Sequence, residues 1–209
     1  MTPTLRDGDV KTSLNGTDLT FKLLPNGVLL VNNAVVSEKS SDIILNNGVV
    51  HVINSVLLPI TDKVGEILLK RNEFSTLSFL LAFTDLAPTL LGRSVTLFAP
   101  TNDAFQSVSP SLPELSLPGS LEVYKKILRN HVVNGVFPTN TLHNGEVFTA
   151  LGGRTLHVSI NSSGVLVTPS GSITTGKLTE TDIQAINGLI HVVDHVLIPQ
   201  GLKRSAPAK

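Results

Sequence analysis

Two histidines, His191 and His195, stand four residues apart, a spacing that on a helix would let both rings reach one metal ion. The segment around them does not read as a helix. Leu189 to Ile198 is a nearly continuous Ile/Val/Leu run, the pattern of a strand at the centre of a core. A near-copy earlier in the chain keeps His51 but has Ser55 at the second position. The residues therefore point away from a metal site. They point instead to histidine rings set among apolar neighbours and hydrogen-bonded there, His131 included. Nucleophilic catalysis finds no more support: there is no Gly-x-Ser-x-Gly elbow, no Gly-rich phosphate loop and no His-Glu-x-x-His. No enzyme activity, metal or cofactor is expected.

The near-copy is itself the most informative feature. Asn47-Gly48-Val49-Val50-His51-Val52-Ile53 returns 140 residues later as Asn187-Gly188-Leu189-Ile190-His191-Val192-Val193, and both copies run on to a Pro, at 59 and 199. Thr4-Leu5-Arg6-Asp7-Gly8-Asp9-Val10 is echoed by Thr141-Leu142-His143-Asn144-Gly145-Glu146-Val147, at a spacing of 137. Asp42-Ile43 matches Asp182-Ile183 at 140 again, so a surface loop between Leu29 and Asp42 accounts for the three-residue difference. Such spacings are too long for a solenoid and right for a domain. Residues 1–59 read as the C-terminal half of a domain, 60–200 as a complete domain, and 201–209 as a flexible tail.

Composition narrows the partners. Of 209 residues 41% are hydrophobic, enough to bury a core. Lys plus Arg and Asp plus Glu both total 16, so no basic stripe for nucleic acid stands out. No Cys is present, which removes disulfides and thiolate ligands. No apolar run reaches the roughly 20 residues that a membrane-spanning helix needs, and no signal peptide is legible at the start. The sequence does not fix the oligomeric state.

The elements that must position these residues fall into two kinds. Residues 1–59 carry short β-rich runs, Leu19 to Leu24 and Val28 to Val31, between the turn dipeptides Asp7-Gly8, Asn15-Gly16 and Asn26-Gly27. The stretch Val49 to Leu58 reads as a strand buried on both faces. After Pro59 the apolar spacing predicts helices near 63–72 and 76–86. A strand follows over Ser94 to Ala99, then a helix capped by Thr101, and another capped by Ser120 with Leu121, Tyr124, Ile127 and Leu128 on one face. Strand patterns return at Val147 to Ala150, Thr155 to Ile160 and Val165 to Thr168. A helical half followed by a β half is an α+β domain.

Three motifs carry a family resemblance. Thr96-Leu97-Phe98-Ala99-Pro100-Thr101-Asn102-Asp103-Ala104-Phe105 resembles the first signature of the fasciclin domain, and Asn187 to Pro199 resembles the second. Asn130-His131-Val132-Val133 sits where that family usually shows Tyr-His before apolar residues, with Asn in place of Tyr. The resemblance implies an α+β fasciclin-like fold, a β-sandwich or wedge of short strands with a helical N-terminal half.

The resemblance also implies surface work. In animal fasciclin proteins an Asp-Ile element and the Tyr-His region are proposed integrin-recognition sites, which carries over to Asp182 and Ile183, to Asp42 and Ile43, and to Asn130 and His131. A carboxylate could complete the oxygen shell of a receptor-held divalent cation; the same Asp could simply cap a turn while Ile183 fills core. Asn15-Gly16-Thr17 and Asn161-Ser162-Ser163 are glycosylation sequons at turn-like positions. The expected function is a non-catalytic extracellular or cell-surface adhesion module binding protein or polysaccharide. The rival is a carrier holding an apolar molecule, such as a carotenoid, in a groove of the fold.

Overall fold

The computed structural model describes residues 5–6, 8–23, 27–32, 34–37, 43–57, 59–90, 94–108, 112, 119–172 and 174–198. The chain divides into two compact units, Met1–Ile60 and Thr61–Lys209.

In the first unit, β1 (Val10–Thr12), β2 (Asp18–Leu23), β3 (Leu29–Val31) and β4 (Ala34–Val35) form an antiparallel sheet in chain order, and β5 (Ile43–Leu45) pairs with β6 (Gly48–Val50) in a separate hairpin. Its small core is Val31, Ala34 and Val36, with Leu19, Phe21, Leu29, Ile53 and Leu57 packed around them. The long buried strand expected over Val49 to Leu58 does not form among the described residues: of these, Gly48–Val50 is strand, and Val50, Val52 and Val56 are exposed. An apolar run supplies the means for burial, but among the described residues no neighbouring strand joins β6 on its far side.

The second unit begins with α1 (Val64–Lys70), a 3-10 turn and α2 (Ser75–Phe83), shorter than their expected spans. Glu66 Oε2 accepts the Lys63 N–H at 2.8 Å and Asn187 Oδ1 accepts the Val64 N–H at 2.9 Å, satisfying first-turn donors of α1. Next come β7 (Val95–Pro100), α3 (Asn102–Val108), α4 (Ser120–Arg129) and β8 (Val132–Asn134). Thr101 Oγ1 accepts the Ala104 N–H at 3.3 Å, the expected cap of α3. Ser120 is not a cap. It lies buried inside the first turn of α4, and Gly119 takes the cap position at φ 81°, which favours a residue without Cβ.

The β half comprises β9 (Val147–Thr149), β10 (Thr155–Asn161), β11 (Gly164–Pro169), β12 (Gly176–Ala185) and β13 (Gly188–Val193). The seven strands run in the order β8-β7-β13-β12-β11-β10-β9, and all pairs are antiparallel except β7 with β13. A bridge between Val133 of β8 and Ala150, just after β9, joins the two outer strands, so the sheet curls on itself into an α+β wedge. Strand alternation then divides the interior. Val95, Leu97, Ala99, Ile190 and Val192 face a core shared with the helices. Phe98 and Val193 face a second core inside the curl with Phe148, Leu156, Val158 and Val167.

The two units repeat one another in register as well as in sequence. Val10 pairs with Thr20 as Val147 pairs with His157, each 137 residues on. Ile43 pairs with Val50 and Leu45 with Gly48, as Ile183 with Ile190 and Ala185 with Gly188, each 140 residues on. Even the closing contact recurs: Asn54 Oδ1 accepts the Val35 N–H at 2.7 Å, and Asp194 Oδ1 accepts the Lys177 N–H at 2.7 Å.

Candidate functional site

Polar residues singled out in the sequence form two groups, one where the end of α4 meets the chain leaving β13 and one where β13 and the irregular part of β12 meet segment 137–139. His131 follows α4 directly, and Asn130 is its C-terminal cap residue. Both are 0% exposed. His131 Nδ1–H donates to the Ile127 carbonyl oxygen at 2.8 Å, and Nε2 accepts the Leu197 N–H at 2.9 Å. Asn130 Nδ2 donates to the carbonyl oxygen of the same Leu197 at 3.0 Å. Consecutive side chains thus hold both polar groups of one buried peptide residue, which otherwise would cost about 1–3 kcal/mol per unsatisfied group. Burial pushes the His131 imidazolium down to a pKa of about 4, against the opposing pull of the Ile127 carbonyl. The ring is neutral at physiological pH.

His191 uses the other tautomer. Its Nδ1 accepts the Asp182 N–H at 3.3 Å, so Nε2 carries the proton and donates to the Phe137 carbonyl oxygen at 2.9 Å. The ring stacks on Phe98, 5.6 Å between centroids. Burial lowers its pKa, with the Phe137 carbonyl and Asp182 opposing the shift.

Asp182 completes the latch. Its Oδ1 accepts the Thr139 N–H at 2.9 Å and its Oδ2 takes the Thr139 hydroxyl. The strand register slips between Leu178 and Glu180 and again between Glu180 and Ile183, and Asp182 sits at φ 61° in that bulge. Asp is among the few L residues that tolerate this conformation. Ile183 packs against the helix-side core. On either side of Asp182 the bulge therefore has two faces: Asp182 and Ile183 turn inward to latch and core, while Thr179, Glu180 and Thr181 are exposed.

A cavity of about 440 Å³ opens beside the exposed face, lined by Arg71, Glu73, Thr101, Asn102, Asp103, Thr179, Glu180 and Val192. Arg71 holds Glu180 through both terminal guanidinium nitrogens, Nη1 to Oε1 at 3.0 Å and Nη2 to Oε2, and Nη2 also holds Glu73 at 2.7 Å. The hydrogen bond to Arg71 lowers the Glu180 pKa, and that to Glu180 raises the Arg71 pKa. Its lining carries both signs of charge.

Asp182, His191 and segment 137–139 thus come together, and Asn130 and His131 come together on Leu197. Asn130 and His131 offer no side-chain surface to a partner in this fold, because both are spent on Leu197 inside the core. His191 and His195 do not converge: His191 has both nitrogens engaged inside, and His195 is exposed with Nδ1 2.8 Å from Asp194 Oδ1. Ile43 is exposed on the β5–β6 hairpin, and Asp42 lies outside the described residues. Asn15 and Asn161 are both exposed at turns; each Oδ1 accepts the N–H two residues on, from Thr17 at 3.2 Å and from Ser163 at 2.8 Å. Sequence reasoning missed Thr139, Phe137 and Leu197, which act mainly through backbone groups. It also missed the Arg71–Glu180 pair, whose members are 109 residues apart.

Comparison with known proteins places this architecture. A family model described as the Fasciclin domain matches residues 1–59 and 72–199. Periostin of Homo sapiens is 31% identical over 207 residues, 98% of this chain and 24% of that protein. The transforming growth factor-beta-induced protein ig-h3 of Sus scrofa is 30% identical over 205 residues, 97% of this chain and 29% of that protein. The chain therefore spans less than a third of the length of these relatives. Protein sll1483 of Synechocystis sp. is 36% identical over 128 residues, 60% of this chain and 67% of that protein. Among solved structures, a fasciclin domain pair from the insect cell adhesion molecule Fasciclin I shares the fold, with a TM-score of 0.59 at 20% identity over 88% of this chain and 68% of that chain.

Proposed function

From the premise that this chain belongs to the fasciclin domain family, we propose that it is a non-catalytic adhesion module of the cell surface or extracellular matrix. It binds a protein or polysaccharide partner through the exposed face of the β12 bulge. The observation that carries this reading is the two-faced bulge itself. Asp182 and Ile183 hold it from the inside, and Thr179, Glu180 and Thr181 are presented outside beside a cleft with a fixed Arg71–Glu180 pair. Hydroxyls and paired charges fixed by a rigid latch suit polar recognition of a macromolecule's surface. The fold shared with a cell adhesion molecule's domain pair supports the same direction.

Asp182 and Ile183 are positioning residues in this reading, and the contact falls on their exposed neighbours. Asn130 and His131 support the core beneath. The described cleft, with Arg71, Glu73, Asp103 and Glu180 in its lining, does not itself support the carrier of an apolar molecule. Glycans on Asn15 and Asn161 would sit on exposed turns; a chain secreted from glycosylating cells whose mass does not change with glycosidase would remove them.

The test is adhesion of cells, and of matrix protein or glycosaminoglycan coats, to the immobilised chain and to Thr181→Arg. The substitution adds bulk and charge at an exposed position, so loss of adhesion with unchanged unfolding supports the face. Unchanged adhesion removes it.

A further inference from the structure

Six Asn-Gly dipeptides punctuate the chain. In such a pair the glycine nitrogen can attack the side-chain amide before it, because glycine places no Cβ in the way and leaves the backbone free to turn. Asn26 lies outside the described residues, and the other five pairs stand in very different surroundings.

Three of them have both reacting groups held. Asn15 Oδ1 accepts the Thr17 N–H at 3.2 Å and the Thr17 hydroxyl at 2.7 Å, while the Gly16 N–H donates to the Ser13 carbonyl at 2.9 Å. Asn144 Oδ1 accepts the Ile160 N–H at 2.8 Å, and the Gly145 N–H donates to the Val158 carbonyl at 2.8 Å. Asn187 Oδ1 accepts the Val64 N–H at 2.9 Å and Nδ2 donates to the Leu90 carbonyl, with Gly188 paired to both Ala185 and Val95 inside the seven-stranded sheet. Asn134 is exposed, but the Gly135 N–H is held by the Ser94 carbonyl at 2.9 Å, and a Cβ on Gly135 would stand 2.9 Å from the Phe137 ring.

Asn47 differs on both counts. It is exposed, and its side-chain amide has no hydrogen-bond partner among the described residues. Gly48 stands opposite Leu45 in a sheet of two strands joined over three residue pairs. An isolated hairpin of this kind is marginal in water and opens locally at small cost. A Cβ on Gly48 would meet nothing within 4 Å, so nothing packs against the turn at this point.

We infer that Asn47 is a site of spontaneous covalent modification, in which its amide becomes a carboxylate through a cyclic imide, and that it reacts first of the five. The Gly48 nitrogen, deprotonated by hydroxide, bonds to Asn47 Cγ. The Cγ–Nδ2 bond breaks, and Nδ2 takes a proton from solvent and leaves as ammonia. Water then opens the ring at either carbonyl, leaving aspartate or isoaspartate at 47. One water is consumed, one ammonium is released and one negative charge is gained, in a stretch, 43–57, that holds no Lys, Arg, Asp or Glu. The inference is independent of the adhesive face on β12.

The full chain, made without glycosylation, is aged at neutral pH and 37 °C, and conversion at each Asn-Gly pair is followed by peptide mapping with an isoaspartate methyltransferase as the label. Asn47 should convert at least about tenfold faster than Asn15, Asn134, Asn144 and Asn187 in the folded chain. In guanidinium chloride the five rates should draw together, since the protection of the four is structural. Gly48→Val should slow conversion at Asn47 about tenfold or more with melting unchanged, because a branched side chain hinders the attacking nitrogen. Conversion of any of the four at the rate of Asn47 in the folded chain overturns the inference. An unchanged ranking in guanidinium chloride, or a rate at Asn47 that survives Gly48→Val, overturns it as well.

Discussion

His131 Nε2 accepts the backbone N–H of Leu197 from 2.9 Å inside the core, at a separation of 66 residues. That bond ties the end of α4 to the chain leaving β13, and Asn130 secures the other side of the same residue. His131→Phe keeps most of the ring volume and removes the acceptor, leaving a buried N–H without a partner. Stability should fall by about 1–3 kcal/mol, read from denaturant unfolding. Unchanged stability would contradict the role given to the ring.

Acid should destabilise the second unit through its two buried histidines. Both are neutral in the fold, with pKa values lowered mainly by burial, His131 to about 4. In the unfolded chain they take up protons near pH 6.5. For His131, between there and about pH 4 the unfolded state binds a proton that the folded state refuses, so stability falls as pH falls, by about 1.4 kcal/mol per pH unit, and His191 acts in the same direction. His131→Phe should flatten this slope over pH 6 to 4. A slope identical to the parent's would assign the acid sensitivity to other groups.

Asp182 should show a graded series. Asn keeps an acceptor for Thr139 and tolerates the left-handed backbone, Ala loses the acceptor, and Val adds a backbone conflict at φ 61°. Expected losses rise in the order Asn, Ala, Val, with Ala at about 1–3 kcal/mol. Thermal melts giving any other order would show that the backbone strain or the Thr139 contact has been misjudged.

The paired glycines separate covered from open strand. Gly188→Ala should cost more than about 3 kcal/mol, since a Cβ there meets backbone that cannot move without breaking the β7–β13 pairing. Gly48→Ala should stay within about 0.5 kcal/mol of the parent. Equal effects in urea unfolding would contradict the difference in their surroundings.

Much of this was legible in the sequence where a residue's partner lies close along the chain. The Thr101 cap, the strands at 147–169 and the internal repeat follow from local pattern, and the structure keeps all three. What needed coordinates was long-range. The repeat copies the apolar run of the second hairpin into the first, and so Val49 to Leu58 reads as buried. Burial depends on a cover of helices and β7, and composition alone does not reveal whether a given run has one. The motif residues Asn130, His131 and Asp182 were recognisable by type, but their partners are backbone groups of Leu197 and Thr139, which leave no mark in residue identity. The exposed face was hidden for the same reason: a bulge at Glu180 to Asp182 decides which side chains of β12 turn outward.

One paired measurement addresses the division of the bulge into an inner latch and an outer contact face. Adhesion and thermal unfolding are read on the same samples of Thr181→Arg and Asp182→Asn. Thr181→Arg should lower adhesion about tenfold, equivalent to about 1.4 kcal/mol, with an unchanged melting temperature. Asp182→Asn should lower the melting temperature while retaining adhesion well below its transition. Full adhesion by Thr181→Arg, or loss of adhesion by Asp182→Asn with no loss of stability, would contradict it.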